Sequence, residues 1–331
     1  MTPDRWTLAL DQGAITRPDG RVLALNARAE ADLSALGDVH AVTGFYPDHR
    51  RLAARGFATG TEPEGPYGAA LVQIVKSKPA TLAAIAEALA HLEPGGLLMI
   101  DGQKAEGIES VLKTLRAELP VDDVMSKSHG KLAWLTRPDA IPDTVAGWLP
   151  EAGETEQGYV TLPGMFSSEG PDEGSELLVA LVPQLKGRVA DLGAGWGYIA
   201  GEILAEQDGI ETFDLIEADH ASIRAAEANI ADDRARFHWA DATAFDPEAP
   251  YDAIMSNPPF HTGHAADPGL GRAFIAAAAR MLKPSGRFFM VANRHLPYEA
   301  ALKAAFGTGR MLADLNGYKL YEAAKPKRAR A

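Results

Sequence analysis

One stretch of the chain leaves few folds open. Val189-Ala190-Asp191-Leu192-Gly193-Ala194-Gly195-Trp196-Gly197 reads as a strand ending in an acid, then three alternate glycines, then a helix from about Tyr198 to Glu206. Glycines permit positive φ and let a ligand approach the backbone, and the helix start offers free N–H groups. Such a strand–loop–helix belongs to a parallel α/β sheet, with ligands at the carboxyl ends of the strands. A dinucleotide fingerprint would place its last glycine at position 198, where Tyr198 stands, which disfavours nicotinamide and flavin.

The alternation of strands and helices continues on both sides. After the loop, strands are expected at Thr212 to Glu217, Arg236 to Trp239, Ala253 to Ser256 and Arg287 to Ala292, with helices over Ala221 to Asn229 and Gly271 to Leu282. Met311 to Asn316 and Tyr318 to Ala323, split by Asn316-Gly317, read as a closing antiparallel pair. A helix from Ser175, the expected N-cap, through Leu185 precedes the first of these strands. Upstream, Arg21 to Leu25, Tyr67 to Val75 and Leu97 to Ile100 read as strands and Thr81 to Leu92 as a helix. The stretch from Pro138 to Gly174, rich in Pro, Gly and Glu, reads as a linker.

The two halves resemble each other. Gly20-Arg21-Val22-Leu23-Ala24-Leu25 lines up with Gly187-Arg188-Val189-Ala190-Asp191-Leu192, and Leu92-Glu93-Pro94-Gly95-Gly96 with Leu282-Lys283-Pro284-Ser285-Gly286. A duplicated fold is expected, with domains at 1–145 and 146–331. Asn26, Arg28 and Glu30 stand where the second copy has Gly193, Gly195 and Gly197, and such bulk would block a ligand from the backbone. The second copy is therefore expected to keep the chemistry, and the first to lack a cofactor.

A second informative stretch is Ser256-Asn257-Pro258-Pro259-Phe260-His261-Thr262-Gly263, which follows an apolar strand. Two prolines after a strand fix the backbone direction, and the residue before each is pushed to an extended conformation. An amide at Asn257, a carbonyl at Pro258 and an aromatic ring at Phe260 then suit a planar amino group, whose two hydrogens need two acceptors and whose ring can stack. Glu217 lies at the end of the second strand, where nucleotide-binding folds place an acid for ribose hydroxyls, and Asp241 follows the third, placed for an adenine amino group. Either acid could equally cap a helix; with the loop they favour an adenosine ligand.

Composition bounds the alternatives. The chain has 331 residues, 46% hydrophobic and 23% charged, enough for two ordinary soluble domains. It has no cysteine, which excludes disulfides, thiolate metal sites and a cysteine nucleophile. No basic-then-apolar leader and no membrane-length apolar run are present, so a cytoplasmic protein is expected. The net charge of −13 argues mildly against nucleic acid, and residues 1–145 carry 15 Lys/Arg against 19 Asp/Glu. The tail Lys325-Pro326-Lys327-Arg328-Ala329-Arg330 is a local basic patch, either a solubilising tail or an RNA contact. His261 and His264 alone do not make a metal site, and no metal is expected.

Taken together, Asp191-x-Gly193-x-Gly195-x-Gly197, Glu217, Asp241 and Asn257-Pro258-Pro259-Phe260 resemble the class I S-adenosylmethionine-dependent methyltransferases that act on exocyclic or amide nitrogens. Gly164-Met165-Phe166-Ser167, Asp172-Glu173-Gly174-Ser175, the Phe-His-x-Gly continuation and Val291-Ala292-Asn293-Arg294-His295-Leu296-Pro297-Tyr298 are similar to the ribosomal RNA small subunit methyltransferase C group. The motifs cover most of residues 160–323; the first half resembles that group's degenerate copy only loosely. The resemblance implies two tandem Rossmann-like domains, the second a seven-stranded class I methyltransferase sheet, and an rRNA guanosine, most simply in 16S rRNA, methylated on N2. It implies Asn257, Pro258 and Phe260 as catalytic residues. Asp191, Gly193, Gly195, Gly197, Glu217, Asp241, Asn257, Phe166 and Ser167 would bind the cofactor, with Pro259, His261 and Tyr298 around the target base. The first domain would support the second or bind RNA. Rival readings are the same chemistry on a protein glutamine amide or an adenine amine, and a non-catalytic ribosome-assembly factor that retains a cofactor pocket. The oligomeric state is not specified by sequence; a monomer is the expectation.

Overall fold

The structure, a computed structural model, describes residues 4–259 and 268–327. It divides into two compact units, Met1–Glu151 and Ala152–Ala331. The break lies inside the Pro- and Gly-rich stretch, a few residues beyond the expected boundary at 145.

The first unit contains α1 (Arg5–Asp11), β1 (Val22–Leu25), β2 (Val39–Val42), α2 (Tyr46–Ala54), β3 (Ala58–Gly60), β4 (Tyr67–Gln73), α3 (Lys78–His91), β5 (Leu92–Gln103), α4 (Ile108–Glu118), β6 (Asp123–Lys127), β7 (Gly130–Thr136) and α5 (Asp143–Ala146). Its sheet has the order β3-β2-β1-β4-β5-β7-β6. The second unit contains β8 (Gly153–Glu154), β9 (Val160–Thr161), α6 (Glu173–Leu181), β10 (Gly187–Leu192), α7 (Tyr198–Glu206), β11 (Ile210–Glu217), α8 (His220–Asn229), β12 (Ala235–Trp239), β13 (Tyr251–Ser256), α9 (Pro268–Met281), β14 (Leu282–Asn293), α10 (Glu299–Ala305), β15 (Phe306–Leu315) and β16 (Tyr318–Pro326). Its large sheet runs β12-β11-β10-β13-β14-β16-β15, the same order shifted along the chain.

The correspondence extends to register. Val22 pairs with Ala69 as Val189 pairs with Ala253, and Tyr67 with Leu92 as Tyr251 with Leu282. In each sheet six strands share one direction and a single strand, β7 or β16, lies between two of them and runs antiparallel to both. The fold is therefore a duplication of one Rossmann-like sheet.

The central strands are apolar because both faces are covered by helices. On β14, Phe288 and Met290 join the core with α9 and α10, while Phe289 and Val291 join the core with α6 and α7. That split is the period-2 alternation of a strand, and burying each such side chain contributes about 1.5–3 kcal/mol. Asn316 and Gly317 take φ of 50° and 83°, the left-handed pair that a two-residue hairpin needs between β15 and β16.

Two expectations change. Pro138 to Gly174 is not a plain linker: it holds α5, the β8/β9 hairpin, paired Gly153 with Thr161, and the start of α6. Its turn chemistry hides these short pieces from a periodicity reading. Ser175 is not the N-cap of α6; Asp172 is, its Oδ2 accepting from Gly174 N at 3.0 Å and Ser175 N at 3.2 Å. α6 also ends at Leu181, before Pro183, which cannot extend it. α1, α2, β2, β3 and β6 are short or weakly periodic segments that the expectation lacks; α4 is lacking too, although Ile108, Val111, Leu112 and Leu115 recur at helical spacing and are buried together.

Candidate active site

The cleft lies at the carboxyl ends of β10 and β13. It is lined by Phe166, Ser167, Asp172, Ser175, the Gly193–Trp196 loop, Tyr198, Ile199 and Asn257, around about 380 Å³ of space open to solvent.

The loop follows β10 because β11 holds it: Gly193 N and Ala194 N both donate to Ile216 O, at 2.9 and 3.3 Å. Ser256 at the end of β13 ties it from the other side, Oγ donating to Leu192 O at 2.7 Å. The glycines answer different demands. Gly195 has φ of +55° and nothing within 4 Å of where a Cβ would stand, so its open face looks onto free space. A Cβ on Gly197 would meet Ile230 at 2.9 Å and Ala226 at 3.1 Å, so this glycine lets α7 pack on α8.

Beneath the loop, Asp191 is fully buried and neither carboxylate oxygen has a hydrogen-bond partner among the described residues. Burial, and then the nearby charge of Glu217, pushes its carboxyl up to about 8. Glu217 ends β11 and braces the turn, Oε2 accepting from Gly195 N and Oε1 from Asp219 N, both at 2.8 Å. Burial raises its carboxyl too, with those N–H groups opposing. A fully buried acid and a half-buried one beside a loop of backbone N–H groups favour a ligand that carries both positive charge and hydroxyl or carboxylate groups. Asp241, beyond β12, forms an Asx turn: Oδ1 accepts from Thr243 N at 2.8 Å and Thr243 Oγ1 at 2.6 Å.

Asn257 follows β13 with its side chain buried. Its Nδ2 donates to Asp172 Oδ2 at 2.8 Å and to Ser175 Oγ at 2.9 Å, which occupies both hydrogens. Its Oδ1 is buried and accepts from nothing among the described residues. A buried carbonyl oxygen left open costs free energy unless a ligand's donor fills it. Pro258 is buried and Pro259 exposed.

The third wall comes from the β9–α6 segment. Phe166 is 59% exposed, and its carbonyl accepts from Trp196 Nε1 at 2.9 Å. Ser167 takes φ of +51°, and Ser168 O accepts from Thr161 Oγ1 at 2.7 Å. Asn229 of α8 clamps this segment to the loop: Oδ1 accepts from Val160 N at 2.7 Å, and Nδ2 donates to Val160 O at 3.0 Å and Trp196 O at 2.9 Å. Tyr159 packs on Trp196 and Tyr198, and its hydroxyl donates to Glu202 Oε1 at 2.7 Å.

The cleft thus brings together Phe166, Ser167, Gly193, Gly195 and Asn257; Asp191, Gly197, Glu217 and Asp241 are not among the residues that line it, and of these Glu217 reaches the loop through Gly195 N. Tyr298 is fully buried in the core with Phe274 and Leu302 and does not line the cleft. Phe260, His261 and His264 lie outside the described residues, as do positions 328 to 331 of the tail. Asp172, Tyr318, Asn229 and Tyr159 were not singled out by role. A signal existed only for Asp172, an aspartate just ahead of an apolar helical run with acids in its first turn, the residue type preferred at an N-cap. Among the described residues no group of three or more His, Asp or Glu could hold a metal ion, and no helix is long and apolar enough to cross a membrane.

Comparison with known proteins extends this geometry. Residues 156–322 match the family model described as methyltransferase small domain. The ribosomal RNA small subunit methyltransferase C of Shewanella oneidensis is 32% identical over 91% of this chain and 93% of its own length. That of Shewanella pealeana is 33% identical over 71% of each. Among solved structures, a T. thermophilus 16S rRNA N2 methyltransferase in complex with AdoMet and guanosine superposes with a TM-score of 0.79, at 25% identity, over 98% of this chain and 92% of that one. The likeness runs through both units and not only the cleft: the chain belongs to the ribosomal RNA small subunit methyltransferase C family.

Proposed function

We propose that the second unit transfers a methyl group from S-adenosylmethionine to the exocyclic N2 amine of a guanosine in ribosomal RNA, in 16S rRNA of the small subunit. The observation that carries this reading is the Asn257 amide, with both hydrogens committed and its oxygen open in the cleft.

The cleft fits the cofactor. The open face of Gly195 admits a ligand against the backbone, and the unpartnered Asp191 carboxylate favours a cation above it. Gly193, Gly195 and Gly197 would form the cradle, Glu217 would offer its remaining lone pairs to ribose hydroxyls, Asp241 would accept from the adenine amine, and Phe166 and Ser167 would close the site. When bound, S-adenosylmethionine supplies an electrophilic methyl on a sulfonium centre. Asn257 Oδ1 and the Pro258 carbonyl accept the two hydrogens of the guanine amine. Those two contacts turn the nitrogen lone pair out of conjugation with the ring and disperse the positive charge that grows on nitrogen. No strong base is needed, because the nitrogen becomes acidic as the new bond forms. By the family resemblance Phe260 would stack on a base taken out of its helix, with Pro259 and His261 beside it; Tyr298, buried in the core, would act only by packing behind the site. The first unit carries no cofactor and supports the second or contacts RNA, with the work done in the cytoplasm.

The test is transfer of labelled methyl to rRNA and ribosomal subunits from a strain lacking the protein, comparing wild type with Asn257→Ala, followed by nucleoside analysis. The expected product is N2-methylguanosine, absent with the variant. Label in adenosine or protein would move the activity to another amine or amide. Cofactor binding without transfer would mark an assembly factor.

A further inference from the structure

We propose that Asp172 is the positioning residue that decides which way the Asn257 amide faces, with Tyr318 and Gly174 holding its carboxylate for that task. This deepens the functional reading above and rests on it.

An asparagine amide has two faces of opposite hydrogen-bond sense, and rotation by 180° about its last bond exchanges them. Only one serves an amine substrate. With Nδ2 turned to the cleft, donor would meet donor, and the amine hydrogens would lose an acceptor. The neighbours of Asn257 must therefore discriminate between the two. Ser175 cannot, because a hydroxyl both donates and accepts. Asp172 can: its ionised carboxylate only accepts, so it binds Nδ2 and repels Oδ1.

The carboxylate is itself fixed from four directions. Oδ2 accepts from Gly174 N, Ser175 N and Asn257 Nδ2, and Oδ1 accepts from Tyr318 Oη at 3.0 Å. Burial first, and then the Asp172 charge, pushes the Tyr318 phenol up to about 12, so it stays a donor. A Cβ on Gly174 would stand 2.8 Å from both Asp172 Oδ2 and the Tyr318 ring, so glycine there permits the approach. Asp172 also caps α6, whose N-terminal N–H groups favour a negatively charged acceptor. By drawing on the Nδ2 hydrogens, the charge makes Oδ1 a stronger acceptor on the other side of the amide.

Asp172→Ser separates capping from positioning, because serine caps a helix as well as aspartate but is too short to reach Asn257. Protein carrying ¹⁵N-labelled asparagine, with the Asn257 amide signal assigned by its loss in Asn257→Ala, reads the contact without reference to activity. The expected result has three parts: exchange of the Asn257 side-chain protons about 10-fold faster, kcat lower by about 10- to 100-fold, and KM for S-adenosylmethionine within about twofold of wild type. Tyr318→Phe, which keeps the ring and the fold, should lower kcat by about fivefold in the same manner. Unchanged kcat or unchanged amide protection in both variants overturns the proposal, as does a rise in KM alone. If wild type methylates no RNA while the amide signal still responds to Asp172→Ser, the functional reading falls and the positioning contact stands.

Discussion

The two units solve the same backbone problem and then use its end differently. Tyr67 and Tyr251 begin equivalent strands, so Gln73 stands in the first unit where Asn257 stands in the second. The Gln73 amide oxygen accepts from Arg28 N at 2.9 Å; the Asn257 amide oxygen accepts from nothing described. Arg28, at the position of Gly195, sends its guanidinium to the carbonyl of Ile74 at 2.6 Å and pairs with Glu106 at 2.8 Å. Ile74 in turn matches Pro258. The arginine therefore occupies the two acceptors that the second unit holds out. Asn26 keeps the left-handed φ, 54° against 76° at Gly193, so the first unit retains the turn while filling the space the turn creates. The fold is kept and its ligand space lost through a few side chains, because the alanines between them, Ala27 and Ala194, stay in the apolar layers that hold each sheet.

Variants can exchange these features. The largest effect should come from Asn257→Ala, which removes an acceptor used as charge develops. Methyl transfer should fall by about 10²–10³-fold, whereas Gln73→Ala should leave it unchanged, both read by labelled-methyl incorporation. Next, Gly195→Arg installs the first unit's plug in the second. Affinity for S-adenosylmethionine should drop at least about 100-fold by calorimetry, with the fold retained by circular dichroism.

Asp191 gives a pH test of a group with no charged counterpart in the first unit, where Ala24 takes its place. Its carboxyl has an ordinary value of 3.8 and is pushed up to about 8 in the fold. Between those values the folded chain holds a proton that the unfolded chain has lost, so this group's contribution to stability falls as pH rises and is fully unfavourable above about 8. Asp191→Asn should therefore raise the melting temperature of the unliganded protein by a few degrees near pH 9, and the gain should vanish near pH 4. The same variant should bind S-adenosylmethionine more weakly.

The smallest effect belongs to Arg28→Ala. It should cost the first unit about 1–2 kcal/mol in denaturant unfolding and leave methyl transfer unaltered. A variant that instead gained a second cofactor site would show that one arginine alone separates the two units.

Much of this was legible in the chain. Strand ends, glycine positions and the Asn-Pro-Pro turn are local: backbone freedom and proline stiffness act within a few residues, so their spacing carries the geometry. The duplication was legible for the same reason, since apolar strands and Pro-Gly turns recur in order. The sense of the Asn257 amide was not. It depends on Asp172, 85 residues earlier, and Asp172 on Tyr318, 146 residues later. Likewise Asn229 reaches 69 residues back to Val160. Hydrogen bonds have direction and a reach of about 3 Å. By itself the sequence determined which backbone could make a loop and an amide at one sheet edge; only the tertiary structure, by returning α6 and β16 to that edge, decided which atom of the amide is left to act.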